Sequence, residues 1–257
     1  MTRTIAFIQA RVSSSRLPGK VLEPLQGVPM IIYMAQRAMR ARRLDEVIVI
    51  TSTDDSDNEL AIAVRSAGMK IFRGELNDVL RRYADAAYEY EPDEIVRLTG
   101  DCPLIDPTVI DQTIDTRRAA QADYASNTDP PTFPDGMDVE CFTREALDKA
   151  HKYARHPAER EHVTVWMRSA EAGLKRVNHA APIDMSNLRL TVDYTDDLAL
   201  VRSLLKSLPA TGDFDLYDIL RVLSTHPELL HANPHARNEG LARSLRDCSD
   251  QKLDIPS

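Results

Sequence analysis

No apolar stretch of this chain approaches the roughly 20 residues that a membrane-spanning helix needs. The amino-terminal residues lack a long apolar core followed by a small-residue cleavage site, so no secretory signal is expected. Cysteine is scarce: Cys102, Cys141 and Cys248 are odd in number and far apart. They match neither a disulfide framework nor a metal-ligand spacing, and a reducing cytoplasm is the expected location. Aromatic residues make up 5% of the chain, and internal repeats and low-complexity segments are absent. What is present is the balance of a soluble globular protein, with 43% hydrophobic and 28% charged residues among 257. That length suits one large α/β domain, or one domain with an appendage.

The net charge of −8 is unevenly placed. Residues 1–43 hold Arg3, Arg11, Arg16, Lys20, Arg37, Arg40, Arg42 and Arg43 against the single acid Glu23, so this segment carries +7 and the rest −15. A protein that binds duplex nucleic acid is usually basic overall; a small anion at one local basic site fits this distribution better. Arg37 to Arg43 also read as the solvated end of a helix, where cations suit the macrodipole. That reading does not cover Arg11, Arg16 and Lys20, which fall in a loop.

The loop is Gln9-Ala-Arg-Val-Ser-Ser-Ser-Arg-Leu-Pro-Gly-Lys20. It follows an apolar run, residues 5–8, that reads as a first strand, and it has three cations, three serines, a glycine and no carboxylate. Backbone N–H groups, hydroxyls and fixed positive charge at the carboxyl end of a first strand suit a polyanion such as a nucleoside triphosphate. Arg11, Arg16 and Lys20 surround one bound group if the loop curls, and Gly19 lets the backbone approach closely. The spacing is not that of the Gly-x-x-x-x-Gly-Lys-Ser/Thr loop. An ordinary solvated loop is the alternative.

Strand-like and helix-like segments alternate through the first half. Strands are expected at 47–50, 70–72 and 94–98, and helices at 57–67, 78–90 and 107–120, the last with Pro107 in its first turn. This pattern implies right-handed crossovers and a mainly parallel sheet flanked by helices. Residues 127–136 are proline-rich and read as a loop over an open site or an arm toward another subunit. Further on, a strand is expected at 137–142, helices at 144–152 and 157–170, a strand at 188–192, and helices at 195–208 and 213–224. The domain division is 1–209 for the catalytic unit, with 122–145 as a substrate or dimerisation arm, and 210–257 for a helical extension and polar tail.

Three acidic groups stand out. Asp101, in Thr99-Gly-Asp-Cys-Pro-Leu-Ile-Asp106, follows an expected strand where ligands of open sheets gather. It suits Mg²⁺, which takes one or two carboxylates plus phosphate and water oxygens, or it caps a turn; Asp106 suits the cap of the next helix. Asp193 also closes an expected strand. Thr195 makes an ordinary N-cap there, with Asp196 and Asp197 in the first turn, and Asp193 lies before it. The third group, Pro134-Asp-Gly-Met-Asp-Val-Glu140 with Arg160-Glu-His162, offers Asp135, Glu140, Arg160 and His162 to a polar substrate. Asp135-Gly136 also fits a plain turn and His162 a packed histidine.

In this order, Ile8-Gln-Ala-Arg11, Ser15-Arg-Leu-Pro-Gly-Lys20, Phe72-Arg-Gly74, Val96 to Asp106, Tyr124-Ala-Ser-Asn127, Pro134 to Glu140, Arg160-Glu-His-Val-Thr164 and Leu188-Arg-Leu-Thr-Val-Asp193 resemble the spore coat polysaccharide biosynthesis protein F family. That family is similar to the CMP-sugar synthetases, including those for CMP-Kdo and CMP-sialic acid. The resemblance spans about residues 4–205. It implies a glycosyltransferase A-like, Rossmann-type nucleotidyltransferase fold, CTP as nucleotide, Mg²⁺ as cofactor and a homodimer. It also implies that Gln9, Ala10, Arg11, Ser14, Arg16, Lys20, Thr99 and Gly100 bind nucleotide. Asp101 and Asp193 would hold the metal, with Arg11, Arg16, Lys20 and Asp101 acting in catalysis. The loop has the Ser-Arg-Leu-Pro-Gly-Lys form of CMP-Kdo synthetases, while 134–140 and 160–164 do not match those enzymes, which leaves the acceptor open among acidic sugars and phosphonates. The expected activity is CMP transfer from CTP with release of pyrophosphate. A glycosyltransferase and a silent nucleotide-binding protein are the alternatives. Neither a nucleic acid nor a membrane is an expected partner.

Overall fold

The computed structural model of the chain describes residues 2–14, 16–231 and 237. The expectations for Cys248 and most of the polar tail lie outside these residues. The strands are β1 (Thr4–Gln9), β2 (Pro24–Leu25), β3 (Val28–Pro29), β4 (Glu46–Ser52), β5 (Lys70–Gly74), β6 (Glu94–Thr99), β7 (Tyr124–Ser126), β8 (Glu140–Thr143) and β9 (Arg176–Asn178). The helices are α1 (Met30–Ala38), α2 (Asn58–Ser66), α3 (Val79–Tyr90), α4 (Pro107–Ala120), α5 (Arg144–Tyr153), α6 (Pro157–Glu161), α7 (Val165–Arg168), α8 (Thr195–Ser207) and α9 (Leu216–Thr225).

Seven strands form one sheet in the order β5-β4-β1-β6-β8-β7-β9, and β2 pairs with β3 in a separate hairpin. The first four are mutually parallel, β8 runs antiparallel to β6 and β7, and β9 is parallel to β7. This is the mainly parallel, Rossmann-like sheet that the βαβ alternation requires. Side chains of β1 divide between its faces. Ala6 and Ile8 join a cluster with α1, α4, α8 and α9, while Ile5 and Phe7 join another with α3, α5 and α7. Burial on both faces explains why β1 and β4 are continuous apolar runs with no polar alternation.

The order places the site. From β1 the chain moves outward through β4 and β5, then returns to lay β6 on the other side of β1. The carboxyl ends of β1 and β6 therefore flank the point where strand order reverses, the usual ligand crevice of an open α/β sheet. Gln9 and Thr99 are register partners at that end, and Gly100 N–H donates to Gln9 O at 2.8 Å.

Several elements depart from expectation for identifiable reasons. The strand expected at 137–142 begins only at Glu140, because Asn127 takes the edges of the preceding segment: its Nδ2 donates to Met137 O at 2.6 Å and its Oδ1 accepts from Val139 N–H at 2.9 Å. Residues 140–142 lie inside the chain's own sheet. The helix expected at 157–170 is two short helices, broken at Val163, whose φ is +57°. Residues 188–192 make no sheet strand; Asp135 N–H donates to Leu188 O at 2.9 Å and Leu190 N–H to Asp135 O at 2.6 Å, a single isolated bridge. Thr195 is the first helical residue of α8 and not its N-cap, which is Tyr194.

Arg37 is not a solvated helix end. Its guanidinium is buried, donating to Ile105 O at 3.1 Å, Gly212 O at 2.8 Å and Phe214 O at 3.2 Å, and it lies 3.8 Å from the Phe214 ring centre. Desolvation pulls its pKa down to about 10. Phe214, Leu216, Ile219, Val222 and Leu223 share the apolar cluster of α1 and α8, so this part of the carboxyl-terminal extension packs on the body of the protein.

Candidate active site

The basic loop after β1 does curl. Val12 O accepts from Ser14 N–H at 2.8 Å and from Gly19 N–H at 3.0 Å, with Gly19 in the left-handed region at φ +76°. The loop is pinned from below by Asp57, which is fully buried. Its Oδ1 accepts from Val12 N–H at 2.8 Å and its Oδ2 from the Thr51 hydroxyl at 2.8 Å and Ser52 N–H at 3.1 Å. Those donors outweigh burial and keep the carboxyl below its ordinary range. Asp57 is missing from the sequence-derived set; its cue was only an acid at a helix start beside the end of a strand.

Curling turns Arg16 and Lys20 inward. Lys20 Nζ donates to Asp193 Oδ1 at 2.8 Å, to Val192 O at 2.7 Å and to Asp101 Oδ2 at 3.3 Å. Arg16 Nη2 donates to Asp193 Oδ1 at 2.5 Å. Four of the expected residues thus meet at one point from three remote segments. Asp101 and Asp193 are drawn together by backbone, because Asp101 O accepts from Val192 N–H at 2.7 Å and from the Thr191 hydroxyl at 3.0 Å. Burial works against ionisation of Asp101, but the Lys20 charge and the Thr99 hydroxyl hold its carboxyl down at about 2. Burial likewise opposes the Lys20 charge, and Asp101 and Asp193 more than restore it, raising its pKa. Asp101 is thereby kept ionised at neutral pH, and the Asp193 carboxylate beside it faces the same cationic loop. Two hard oxygen donors of this kind could hold a divalent cation.

Two glycines make the convergence possible. A Cβ on Gly100 would sit 3.0 Å from Ala10 Cβ and 3.1 Å from Gln9 O. One on Gly136, at φ +102°, would sit 2.6 Å from Leu190 C and Thr191 N. The 134–136 turn presses directly on the segment that delivers Asp193. Gly136→Ala is therefore expected to cost more than about 2 kcal/mol, read as a lowered thermal midpoint in calorimetry; an unchanged midpoint would show that the contact is slack.

The expected acceptor group is divided. Asp135 joins the acidic cluster, its Oδ2 accepting from Arg189 Nη1 at 2.8 Å. Glu140 is buried in the sheet, paired with Arg97 and accepting from Tyr124 OH at 2.5 Å and the Thr164 hydroxyl at 2.6 Å. Arg160 grips Asp78 at the start of α3 at 2.5 Å and His151 O at 3.0 Å. His162 lies at the break between α6 and α7, beside Glu161, which in turn is 3.7 Å from Arg11. Burial and the cations Arg97, Arg168 and Arg11 lower its pKa against the pull of Glu161. Arg11 itself is exposed, and Ser14 closes the loop by accepting from Leu17 N–H at 3.4 Å.

Two partners were not foreseen. Arg189 joins Asp135, Asp193 and Asp197. Asp138 pairs with Arg237, whose Nη1 also donates to Phe133 O at 2.9 Å. Desolvation, helped by Asp135 and Glu140, pushes the Asp138 carboxyl up to about 7 despite Arg237.

The fold and this constellation coincide with a family. A model for cytidylyltransferases matches residues 5–208. The chain belongs to the cytidylyltransferase family. Family members use CTP in nucleotidyl transfer, which decides against the glycosyltransferase alternative. Among similar cytidylyltransferases of known structure is one from Leptospira borgpetersenii, 31% identical, with a TM-score of 0.86 over 92% of this chain and 100% of that one. Spore coat polysaccharide biosynthesis protein SpsF of Bacillus subtilis is 28% identical over 89% of this chain and 97% of its own length, in line with the motif resemblance. A CMP-2-keto-3-deoxy-manno-octonic acid synthetase solved with CTP shares the fold, with a TM-score of 0.62 at 21% identity over 80% of this chain and 99% of that one.

Proposed function

We propose that this cytidylyltransferase transfers CMP from CTP to an acidic sugar or a related acid such as a phosphonate, releasing pyrophosphate, in the synthesis of a surface polysaccharide or glycan. The observation that carries the reading is the meeting of Arg16, Lys20, Asp101 and Asp193 at the switch point of the sheet. The curled loop presents Arg11, Ser14, Arg16 and Lys20 to the triphosphate, with Gln9, Ala10, Thr99 and Gly100 forming its floor. An acceptor oxygen attacks the α-phosphorus in line, and the P–O bond to pyrophosphate breaks. Arg16 and Lys20 neutralise the charge that develops on the departing group. Positioning supplies much of the remaining rate gain.

Asp101 and Asp193 fit Mg²⁺. They supply oxygen donors only, and among the described residues no group of three or more His, Cys, Asp or Glu could hold a metal by itself. That suits a cation completed by phosphate oxygens and water. When bound, magnesium would neutralise phosphate charge and polarise the α-phosphate.

Asp135 and His162 orient the acceptor, while Glu140 and Arg160 build the walls that carry them. Asp138 lies near enough to Asp135 and Asp101 to feel their charge, and desolvation lifts its carboxyl to about 7 against Arg237; it is assigned the proton of the attacking hydroxyl. Asp138→Asn is expected to lower kcat/KM by about 10²-fold or more and to remove the ionisation near pH 7 from its pH profile. Persistence of that ionisation in the variant would assign the proton elsewhere.

Assembly as a homodimer belongs to the same proposal, through the exposed tip at Asp129 and Pro130; light scattering at twice the mass of the chain checks it. So does a cytoplasmic location, with which the described helices agree, none being long and apolar enough to cross a membrane.

The test is a screen for pyrophosphate release from CTP against nonulosonic acids, Kdo-like sugars and phosphonates, with ATP, GTP and UTP compared on the best acceptor. Release with CTP and one class of acid is expected. CTP binding without release on any of them would make the chain a silent nucleotide-binding protein.

A further inference from the structure

Asp193 sits among acids that share cations: Lys20 reaches Asp101 and Asp193, and Arg189 reaches Asp135, Asp193 and Asp197. Lys20 and Arg16 approach Asp193 from the loop, both at Oδ1. On the other side lies Arg189, a buried guanidinium from the 188–192 segment. Its Nε donates to Asp197 Oδ1 at 3.0 Å and its Nη2 to Asp197 Oδ2 at 3.1 Å, a two-point fork. The same Nη2 donates to Asp193 Oδ2 at 3.2 Å, and Nη1 donates to Asp135 Oδ2 at 2.8 Å. Asp197 is fully buried and anchored, since its Oδ2 also accepts from Asp193 N–H at 2.7 Å and Tyr194 N–H at 2.9 Å.

We propose that Arg189 is a positioning residue that locks Asp193 and Asp135 in one frame, so that Oδ1 of Asp193 faces the nucleotide side and Asp135 keeps a fixed place beside it. The terminal torsion of an aspartate is soft, so an unsecured Asp193 is free to turn the plane of its carboxylate away from the nucleotide side. A guanidinium anchored twice on Asp197 removes that freedom by holding Oδ2. It also joins the carboxylate assigned to the cation with one assigned to the acceptor, Arg189 itself lying 54 residues along the chain from Asp135. A lysine cannot repeat this arrangement. An ammonium is a point donor on a flexible stem, whereas the planar guanidinium reaches three carboxylates at once. The pair is an outer support of the kind that tunes a metal ligand without touching the metal.

The proposal rests on the cytidylyltransferase reading of the site, and binding measurements separate the two. CTP affinity is measured by calorimetry with EDTA and again with Mn²⁺, for wild type, Arg189→Lys and Asp197→Asn, alongside thermal midpoints. In wild type Mn²⁺ is expected to strengthen CTP binding. In Arg189→Lys that gain is expected to fall about tenfold or more, while the affinity in EDTA stays within about twofold, a split that general damage to the fold would not give. Asp197→Asn is expected to reproduce it by releasing the fork, and it supplies the reading should Arg189→Lys not fold. A full Mn²⁺ gain in either folded variant overturns the positioning role and leaves the functional reading intact. Absence of any Mn²⁺ gain in wild type overturns the functional reading, and this proposal with it.

Discussion

Asp101→Asn is expected to lower CTP-dependent pyrophosphate release by about 10³-fold or more, a loss of about 4 kcal/mol of transition-state stabilisation. Asparagine keeps the shape of the side chain and leaves backbone O of Asp101 free to accept from Val192 N–H and the Thr191 hydroxyl. Lys20 retains its bonds to Asp193 Oδ1 and Val192 O. The fold therefore has no reason to open. The charge is what disappears: a carboxylate held ionised down to about 2 becomes neutral. The expected pattern is a collapse of kcat, a thermal midpoint close to wild type, and CTP binding in EDTA within a few-fold of wild type. Turnover near wild type in this variant would contradict the role given to Asp101.

The second large effect is on stability. Arg97 and Glu140 form an ion pair between neighbouring strands β6 and β8, with side chains 13% and 7% exposed. Arg97 Nε also donates to Gln9 Oε1 at 3.0 Å, so the pair links three adjacent strands. Removing one partner strands the other charge in the sheet, and Arg97→Met is expected to destabilise the protein by about 3–5 kcal/mol. The pH dependence has a defined sign. Burial raises the Glu140 carboxyl, but Arg97, Arg168 and the Thr164 and Tyr124 hydroxyls outweigh it and hold the pKa below the ordinary 4.5. A depressed carboxyl pKa contributes stability that is complete above the unfolded value and is lost as pH falls through the folded one. Urea unfolding between neutral pH and the acid range should show stability falling below about pH 4.5, more steeply in wild type than in Glu140→Gln. Equal slopes would show that this pair does not govern acid unfolding.

The sheet and its principal loops were legible because their signals are local. Residues 5–8 and 47–50 are apolar without interruption, as burial on two faces demands, and Pro107 after Asp106 marks the start of α4 at the observed residue. The loop from Gln9 to Lys20 advertises its chemistry by composition alone. What could not be read is which partner each charge takes. Glu140 and Asp138 are two residues apart in one motif, yet Glu140 faces Arg97 within the sheet and Asp138 faces Arg237. Arg160 and His162 are equally close, and one holds Asp78 while the other borders Glu161 and Arg11. The Glu140–Arg97, Arg160–Asp78 and Asp138–Arg237 pairings span 43, 82 and 99 residues of sequence. Arg37 looked like a surface cation for the same reason, since its acceptors at 105, 212 and 214 are backbone carbonyls and leave no mark in the sequence. Residues 188–192 alternate like a strand, but their backbone pairs with Asp135 and Asp101 instead of the sheet edge.

The decisive measurement is a crystal structure with CTP and Mn²⁺, using the anomalous signal to locate the cation. The peak is expected between the carboxylates of Asp101 and Asp193, with the triphosphate oxygens on Arg16 and Lys20. A cation bound away from both aspartates, or a triphosphate out of reach of Arg16 and Lys20, would contradict it.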